Sequence, residues 1–494
     1  MRWNRREFLT SAGFALSGLG VSGPALGQIV RRPPPARESF VRVRGRVQAG
    51  SIPVPGVSVS DGLSVARTDD RGEFELIAGS AASFVFISLP AGYRIPTLPN
   101  GTARFYRRLE ATSGEVSMPF GLERLDRSDE NHGFFLLADP QTEDLEEIRL
   151  FREQTIPDLR SLAQTLEGEL FAIACGDLMY DHLELFGEYE AAVKLAGLPF
   201  FQVVGNHDLD QSAWVDFYSS QTFEQHFGPA YYSFDRGSVH YVVLDDVFWH
   251  GDGYIGYLTE TQLAWLAADL SYVEKGRTVV ILLHIPLFNT GFRRAGQARP
   301  TPHSVVVNRA ALYELLEPYQ VHVLSGHTHE NEHVFEGGVH EHVHGAVCGA
   351  WWTGPICYDG TPCGYGVYEV RGEELRWRYK STGSQPAEQI RVYKWGADPA
   401  APDEIVANVW DWDPEWEVSW YENGELKGPM ARRTGYDPLA VLLQAGDRLP
   451  AKRPWVNPQP TDHLFYAPAR RSAGEIRVEA RNRFGETFSA VLRR

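Results

Sequence analysis

Alternation of apolar and polar positions marks the first readable segment of the chain. Val41, Val43, Gly45 and Val47 alternate with Arg42, Arg44 and Arg46, and Val57-Ser58-Val59-Ser60 repeats that period of two before a turn at Asp61-Gly62. Short strands with turn signals, such as Asp69-Asp70-Arg71-Gly72 followed by Glu73-Phe74-Glu75-Leu76, continue to about residue 120 and predict a small β-sandwich over 39–125. From about residue 130 the pattern becomes strand, loop and helix in repetition. Apolar runs at Phe134–Ala138, Phe171–Cys175, Phe200–Val204, Tyr241–Leu244, Val279–Leu283 and Val321–Leu324 predict buried strands. Helical stretches at Leu145–Leu166, Leu183–Leu195, Leu263–Val273 and Ala310–Tyr319 lie between them, so 130–384 reads as an α/β domain with β-sheet core layers flanked by helices. Beyond about residue 385 alternation returns, with Trp416, Val418 and Trp420 on one face and an Asn423-Gly424 hairpin turn after them. A second β-sandwich module over 385–494 therefore closes the chain, ending in Ile476–Val478 and Phe484–Val491.

Composition narrows the function classes. The 494 residues allow two to four domains, and 43% hydrophobic with 22% charged residues is ordinary globular usage. Lys and Arg number 47 against 64 Asp and Glu, a formal charge of -17. Such acidity, without a basic stripe, argues against long nucleic acid or anionic lipid as partner, and an anionic substrate must be attracted locally. Four cysteines are too few for a disulfide framework, although Cys348, Cys357 and Cys363 fall close enough together to include one bridge. No Gly-x-Ser-x-Gly elbow occurs, which disfavours a serine hydrolase.

The amino terminus reads Asn4-Arg5-Arg6-Glu7-Phe8-Leu9-Thr10, then a Gly- and Ala-rich run to Ala25-Leu26-Gly27. This resembles a twin-arginine (Tat) export signal over 1–27. A cut before Gln28 would remove three Arg and one Glu, taking the charge from -17 to -19. The resemblance implies the Tat export machinery as a partner and a periplasmic or extracellular destination, a route suited to cargo that folds around metal before it leaves the cytoplasm. Residues 28–38 carry Arg31-Arg32-Pro33-Pro34-Pro35, a stiff linker. No other run approaches the roughly 18 apolar residues needed to cross a bilayer, so no transmembrane segment is expected in the mature chain.

Five of the apolar runs end in chemistry. Phe134–Ala138 leads into Asp139-Pro140-Gln141, Phe171–Cys175 into Gly176-Asp177, and Phe200–Val204 into Gly205-Asn206-His207-Asp208. Val279–Leu283 ends in His284, and Val321–Leu324 leads into Ser325-Gly326-His327-Thr328-His329. Ligands of open α/β sheets gather at the carboxyl ends of strands, so these distant groups are expected in one crevice.

In this order the five blocks resemble the calcineurin-like metallophosphoesterases over roughly residues 130–350. The 39–125 segment resembles the transthyretin-like modules beside many extracellular catalytic domains, and both flanking modules resemble those of an exported subgroup of the family. The resemblance implies two divalent or trivalent metal ions, with Asp177 bridging them, Asp139 and His329 on the first, and Asn206, His284 and His327 on the second. Imidazole and carboxylate without thiolate suit Fe, Mn, Zn or Co. The family commonly has His where this chain has Gln141, which leaves two options: ligation through its carbonyl, or a hydrogen bond to a metal-coordinated water. A metal-bound hydroxide attacking phosphorus is the implied step, with His207 as general acid and Asp208 close enough in sequence to orient it. The implied substrates are phosphate mono- or diesters: a phosphorylated small molecule, a nucleotide or a phosphoprotein. The chief alternative is a non-catalytic envelope binding protein with structural metals or none.

Other clusters carry weaker signals. His329-Glu330-Asn331-Glu332-His333 fits the His-Glu-x-x-His pattern of zinc proteases, but it follows a strand and is soon ended by Gly337-Gly338, leaving little room for the helix that pattern needs. His340, His342 and His344 alternate and would share a strand face, as structural or solvent-facing residues or at the crevice edge. Trp351-Trp352 reads as core or interface packing or as a pocket wall, and Thr361-Pro362-Cys363-Gly364-Tyr365-Gly366 as a turn or a lid.

Overall fold

The computed structural model describes residues 40–79, 82–111 and 113–494. The expected export signal and linker lie outside the described residues. Among those described, no helix is long and apolar enough to cross a membrane.

At the amino-terminal end, strand Phe40–Ala49 pairs antiparallel with Glu73–Gly79 and parallel with Gly114–Ser117 and Phe120–Leu122. A second sheet joins Val65–Arg67, Ser58–Ser60, Phe84–Ile87 and Tyr106–Arg108. Val41, Val43 and Val47 are buried while Arg42 and Arg44 face solvent, as the period of two requires. At the other end, a four-stranded sheet containing Ile405–Val409 and Pro460–Ala467 accompanies another containing Glu417–Glu422 and Glu475–Arg481. Trp416, Val418 and Trp420 are buried in one cluster with Ile476 and Val478. Asn423 (φ 47°) and Gly424 (φ 86°) turn the chain from Glu417–Glu422 into Glu425–Pro429, both in the left-handed region that a two-residue hairpin loop demands.

Two sheets form the central domain. Sheet one contains β1 (Asn131–Leu137), β2 (Glu169–Cys175) and β3 (Phe200–Val203), all parallel in the order β3-β2-β1. Sheet two is built on β4 (Tyr232–Arg236), β5 (Val239–Val243), β6 (Thr278–Leu282), β7 (Gln320–Ser325), β8 (Glu332–Glu336) and β9 (Val339–Val343), in the order β4-β5-β6-β7-β9-β8. Its inner strands β5, β6, β7 and β9 run parallel, and β4 and β8 close the edges antiparallel. Beyond β1 in sheet one, β10 (Gly364–Arg371) and β11 (Glu374–Ser381) add antiparallel.

The continuous apolar runs have a structural cause. Phe134, Leu136 and Ala138 face sheet two, whereas Phe135 and Leu137 pack on a helical layer with Phe151, Ile156 and Leu159. Between the sheets, Phe201 stacks on Phe234 at 4.1 Å and Phe171 meets Tyr241 edge-on at 5.6 Å, while Phe134 stacks on its sheet-one neighbour Tyr368 of β10 at 4.6 Å. Strands buried on both sides cannot alternate.

The helix expected over Leu145–Leu166 is interrupted. Leu145–Leu150 is α-helical, Phe151–Thr155 widens into a π turn, and Ile156–Ala163 resumes. Pro157 lacks the N–H that would continue the ladder, and the widened turn lies just before it. Phe484, expected within the last strand, instead stacks edge-on to Trp377 at 4.8 Å from a turn, and the strand begins at Thr487. All four cysteines are free thiols, so the bridge allowed among Cys348, Cys357 and Cys363 does not form.

One buried ion pair ties sheet two to the helix Glu260–Leu270. His240 on β5 lies 3.0 Å from Asp235 on β4 and 3.0 Å from Asp269 on that helix. Burial opposes its charge, but the two carboxylates outweigh burial and raise it to about 9. A raised folded-state value contributes stability that is full below about pH 6.5 and is lost as pH climbs through about 9. We predict that His240→Gln removes on the order of 3 kcal/mol at pH 6 and much less at pH 10. Urea unfolding of both proteins at the two pH values measures this, and an equal loss at both would contradict it.

Candidate metal centre

The loops that follow β1, β2 and β3 of sheet one and β6 and β7 of sheet two meet in one crevice. Asp139 and His327, 188 positions apart, touch: the His327 N–H donates to both Asp139 oxygens at 3.1 and 3.0 Å. His207 N–H donates to Asp177 Oδ1 at 2.9 Å, and Gln141 N–H donates to Asp177 O at 2.7 Å. The two aspartates, through their carboxylates and the Asp177 carbonyl, thus hold the very loops that carry the other expected ligands.

His284 Nε2 lies 3.2 Å from Asp177 Oδ1, 3.2 Å from Asn206 Oδ1 and 3.2 Å from His327 Nδ1. On the far sides of the rings, His284 Nδ1 donates to Cys175 O at 3.0 Å and His327 Nε2 donates to His303 O at 2.9 Å. A carbonyl can only accept, so each outer nitrogen carries a proton, and each ring, when neutral, turns a lone pair inward. Two imidazole lone pairs, a carboxylate oxygen and an amide oxygen therefore converge, a donor set that fits a divalent transition cation. His329 follows the same rule: its Nδ1 donates to Gly349 O at 2.7 Å, leaving Nε2 3.5 Å from Asp139 Oδ1.

The electrostatics express the same crowding. Burial opposes charge on His284, but Asp177 overrides it and lifts the ring to about 10. Burial, then the charge on His284, pushes His327 down to about 3. A single proton between facing lone pairs is the alternative to a cation at that position. Burial works to raise Asp177 as well, yet His284 and His207 hold it below the ordinary carboxylate range.

Backbone strain gathers here too. Asp139 (φ 48°), Gln141 (40°), Asp177 (49°), His327 (70°) and His329 (52°) all occupy the left-handed region, at a cost of about 1–3 kcal/mol each. In each case the strand stops and the side chain turns into the crevice. Neighbouring glycines leave the room: a Cβ on Gly205 would collide with Asp177, one on Gly176 with the His284 ring, and one on Gly326 would stand 2.6 Å from Asp139 Oδ2.

Gln141 donates from Nε2 to Asp177 Oδ2 at 3.1 Å, while its carbonyl oxygen lies 3.8 Å from Cys348 Sγ. In this arrangement its amide N–H supports the central carboxylate. Asp208 requires a correction. Its oxygens accept from the amides of Leu178, Met179 and Gly205, so it pins the loop after β2 to the loop after β3, and burial raises it to about 7. The carboxylate on His207 is that of Asp181, 2.7 Å from Nδ1, and Tyr180 stacks on the ring at 4.5 Å. Burial opposes charge on His207, but Asp177 and then Asp181 raise it above the ordinary imidazole value.

The protease-like motif has no helix: His329 precedes β8, Glu330 and Glu332 pair with Arg294, and His333 turns away to Asp411 and His340. His340, His342 and His344 are buried and bond to His333, His322 and Tyr368, apart from the crevice. Trp351 forms a wall, packing at a tilt on His329 at 4.4 Å and meeting Trp455 edge-on at 4.6 Å, and Trp352 donates to Pro140 O at 3.0 Å. Thr361 is fully buried on Asp359, so its loop is a turn into β10 rather than a lid.

Sequence reasoning missed Asp181, the three carbonyls and Asp246, which accepts from the His284 and Ile285 amides at 3.1 and 3.3 Å. Asp246 had a signal, because Asp245-Asp246 follows the Tyr241–Leu244 run just as the other carboxylates follow theirs. Asp181 and the carbonyls had none.

Two facing sheets with carboxylates, an amide and imidazoles at their carboxyl ends define a metallophosphoesterase-type centre. Comparison with known families agrees. Residues 133–331 match the calcineurin-like phosphoesterase model, 41–125 the model for the N terminal of calcineurin-like phosphoesterase, and 341–488 that for its C terminal. The chain belongs to the calcineurin-like phosphoesterases with these two flanking modules. It is 30% identical over 150 residues to purple acid phosphatase 23 of Arabidopsis thaliana, covering 27% of this chain and 29% of that one. It is 26% identical over 253 residues to the serine/threonine-protein phosphatase CPPED1 of Homo sapiens, covering 48% and 74%. The match spans less than half the length of the Arabidopsis protein and of mouse CPPED1, 29% and 47%. Among solved structures, purple acid phosphatase PPD1 from yellow lupin seeds aligns with a TM-score of 0.35 at 15% identity, covering 50% and 51% of the two chains.

Because a Cβ at Gly205 has nowhere to go, we predict that Gly205→Ala weakens metal binding by about 10–100-fold, the range seen when the groups supporting metal ligands are disturbed. Titration of the metal-free protein with Mn2+ or Zn2+, followed calorimetrically, checks this. Unchanged affinity would show that the Asp177 position does not matter to the centre.

Proposed function

We propose that this chain is a phosphoric ester hydrolase that works with two divalent cations and is exported through the Tat route. The observation that carries the reading is the convergence of Asp177, Asn206, His284 and His327, with both rings fixed by backbone carbonyls so that their lone pairs point inward. Asp177 would bridge the pair, with Asp139 and His329 on one side and Asn206, His284 and His327 on the other. When bound, the cations would lower the pKa of a coordinated water toward 7 and neutralise charge on the phosphoryl oxygens.

The chain's own groups do the rest. His207 is the general acid: Asp181 holds its Nδ1–H, so its Nε2–H is the proton delivered to the leaving oxygen. The raised proton affinity of that ring, set by Asp177 and Asp181 against burial, favours the charged form the task needs. Gln141 and the His207 amide hold the two Asp177 oxygens in place. Trp351 and Trp455 wall the His329 side and would shape the space for the esterified group. The twin arginines Arg5-Arg6 support export, and the names of the relatives, a purple acid phosphatase and a serine/threonine-protein phosphatase, support a phosphorylated substrate, with a phosphoprotein named by the second.

Purified mature protein, assayed with chromogenic mono- and diesters under added Mn, Fe, Zn or Co, should hydrolyse at least one of them. Asp177→Asn should reduce that rate to background, and full turnover in the variant would overturn the assignment. Absence of hydrolysis with every metal would favour a non-catalytic binding protein.

The general acid has a sharper signature. We predict that His207→Gln lowers kcat about 10²–10⁴-fold for an alkyl phosphate, whose leaving oxygen needs a proton, and far less for a nitrophenyl phosphate, whose leaving oxygen does not. Equal losses on both substrates would assign His207 to metal support instead.

A further inference from the structure

Sheet two carries a second gathering of imidazoles, away from the carboxyl-end loops. Parallel pairing sets His322 of β7 opposite His340 of β9, and antiparallel pairing sets His333 of β8 opposite His342. Residues two apart on a strand share a face, so all four rings project from the same side of three adjacent strands. His322 Nδ1 lies 3.0 Å from His342 Nε2, and His333 Nδ1 lies 3.0 Å from His340 Nε2. The His340 and His342 rings are 4.1 Å apart, and one nitrogen each from His322, His340 and His342 falls within 4.8 Å of the others.

The surroundings resemble the support of a metal site. Asp411, from the carboxyl-terminal module, lies 3.1 Å from His333 Nε2. Its carboxylate accepts the Nε2 proton and leaves the Nδ1 lone pair facing the cluster. The Tyr368 hydroxyl lies 3.1 Å from His342 Nδ1, so that ring too is held by its outer nitrogen. Phe335 stacks on His340 at 4.1 Å, and Trp377 packs on His342 at 4.5 Å. Burial pushes His322 down to about 4 and His342 lower still, so both are neutral and able to donate lone pairs at neutral pH. The nearest fixed cation, Arg483, is paired with Asp413 at 2.7 Å and Glu415 at 3.3 Å.

We propose that His322, His333, His340 and His342 form a structural site for one divalent transition cation of the Zn2+ type, separate from the catalytic centre. Tetrahedral coordination at bonds of about 2.0 Å puts ligand nitrogens about 3.3 Å apart, close to the 3.0 Å that separates His322 from His342 and His333 from His340. All four ligands come from three strands of one sheet, and Asp411 extends the hold to the carboxyl-terminal module. The cation would therefore staple that module to the catalytic sheet. A dry hydrogen-bonded stack of neutral imidazoles is the competing description, and it predicts no cation.

Zinc content separates the two. The full chain and a His322→Gln/His340→Gln variant are loaded with Zn2+, dialysed and measured by elemental analysis. The variant should hold one equivalent less while keeping its phosphate-ester hydrolysis, and equal content in both overturns the site. Crystals of the unaltered chain grown with Zn2+ give a test that needs no variant. An anomalous peak among the four rings supports the site; its absence with zinc present at Asp177 overturns it.

Discussion

Three backbone carbonyls, those of Cys175, His303 and Gly349, decide which nitrogen of His284, His327 and His329 faces the crevice. Everything proposed for this centre depends on that choice. With the opposite tautomer, His284 and His327 would point two N–H groups at each other across 3.2 Å, and no cation could enter. Cys175 ends β2, so one strand terminus supplies both the carbonyl that orients His284 and, two residues on, the carboxylate that the same ring faces. The metal centre is thus built into the way the strand ends.

That arrangement needs a rigid frame, because five of the expected ligands sit in left-handed backbone. Each such residue costs roughly what the full burial of one large apolar side chain contributes, about 1–3 kcal/mol. The aromatic layer between the sheets is where that burial is concentrated. Phe134, Phe171, Phe201, Phe234, Tyr241 and Tyr368 are almost wholly buried, and the contacts of Phe134 and Phe171 with Tyr241 and of Phe201 with Phe234 cross from one sheet to the other. They fix the spacing of the two sheets, and the loops at the sheet ends inherit that spacing.

The carboxyl-terminal module is more than an appendage. Trp455 joins the aromatic wall over His329, and Arg453 pairs with Glu143 and Glu147 beside the loop of Gln141. Asp411 reaches the histidine cluster of sheet two. The module therefore touches the central domain both at the mouth of the crevice and behind it, without supplying any of the expected ligands.

Much of this was legible in the chain itself. The six apolar runs became strands because residues buried on both faces must all be apolar, and the five motifs at their ends converged because parallel strands place their carboxyl ends together. Alternation marked the flanking β modules for the converse reason: one face of each strand meets solvent. What the sequence could not determine were contacts between groups with no fixed spacing. Asp208 is adjacent to His207 in the chain yet serves three amides, while Asp181, 26 positions away, holds the ring. The backbone carbonyls carry no residue signature at all, and the His322 cluster exists only because β7, β9 and β8 pair in one register. Side-chain type and local period set the elements and the donor inventory, and only tertiary packing decided which nitrogen, which oxygen and which lone pair met.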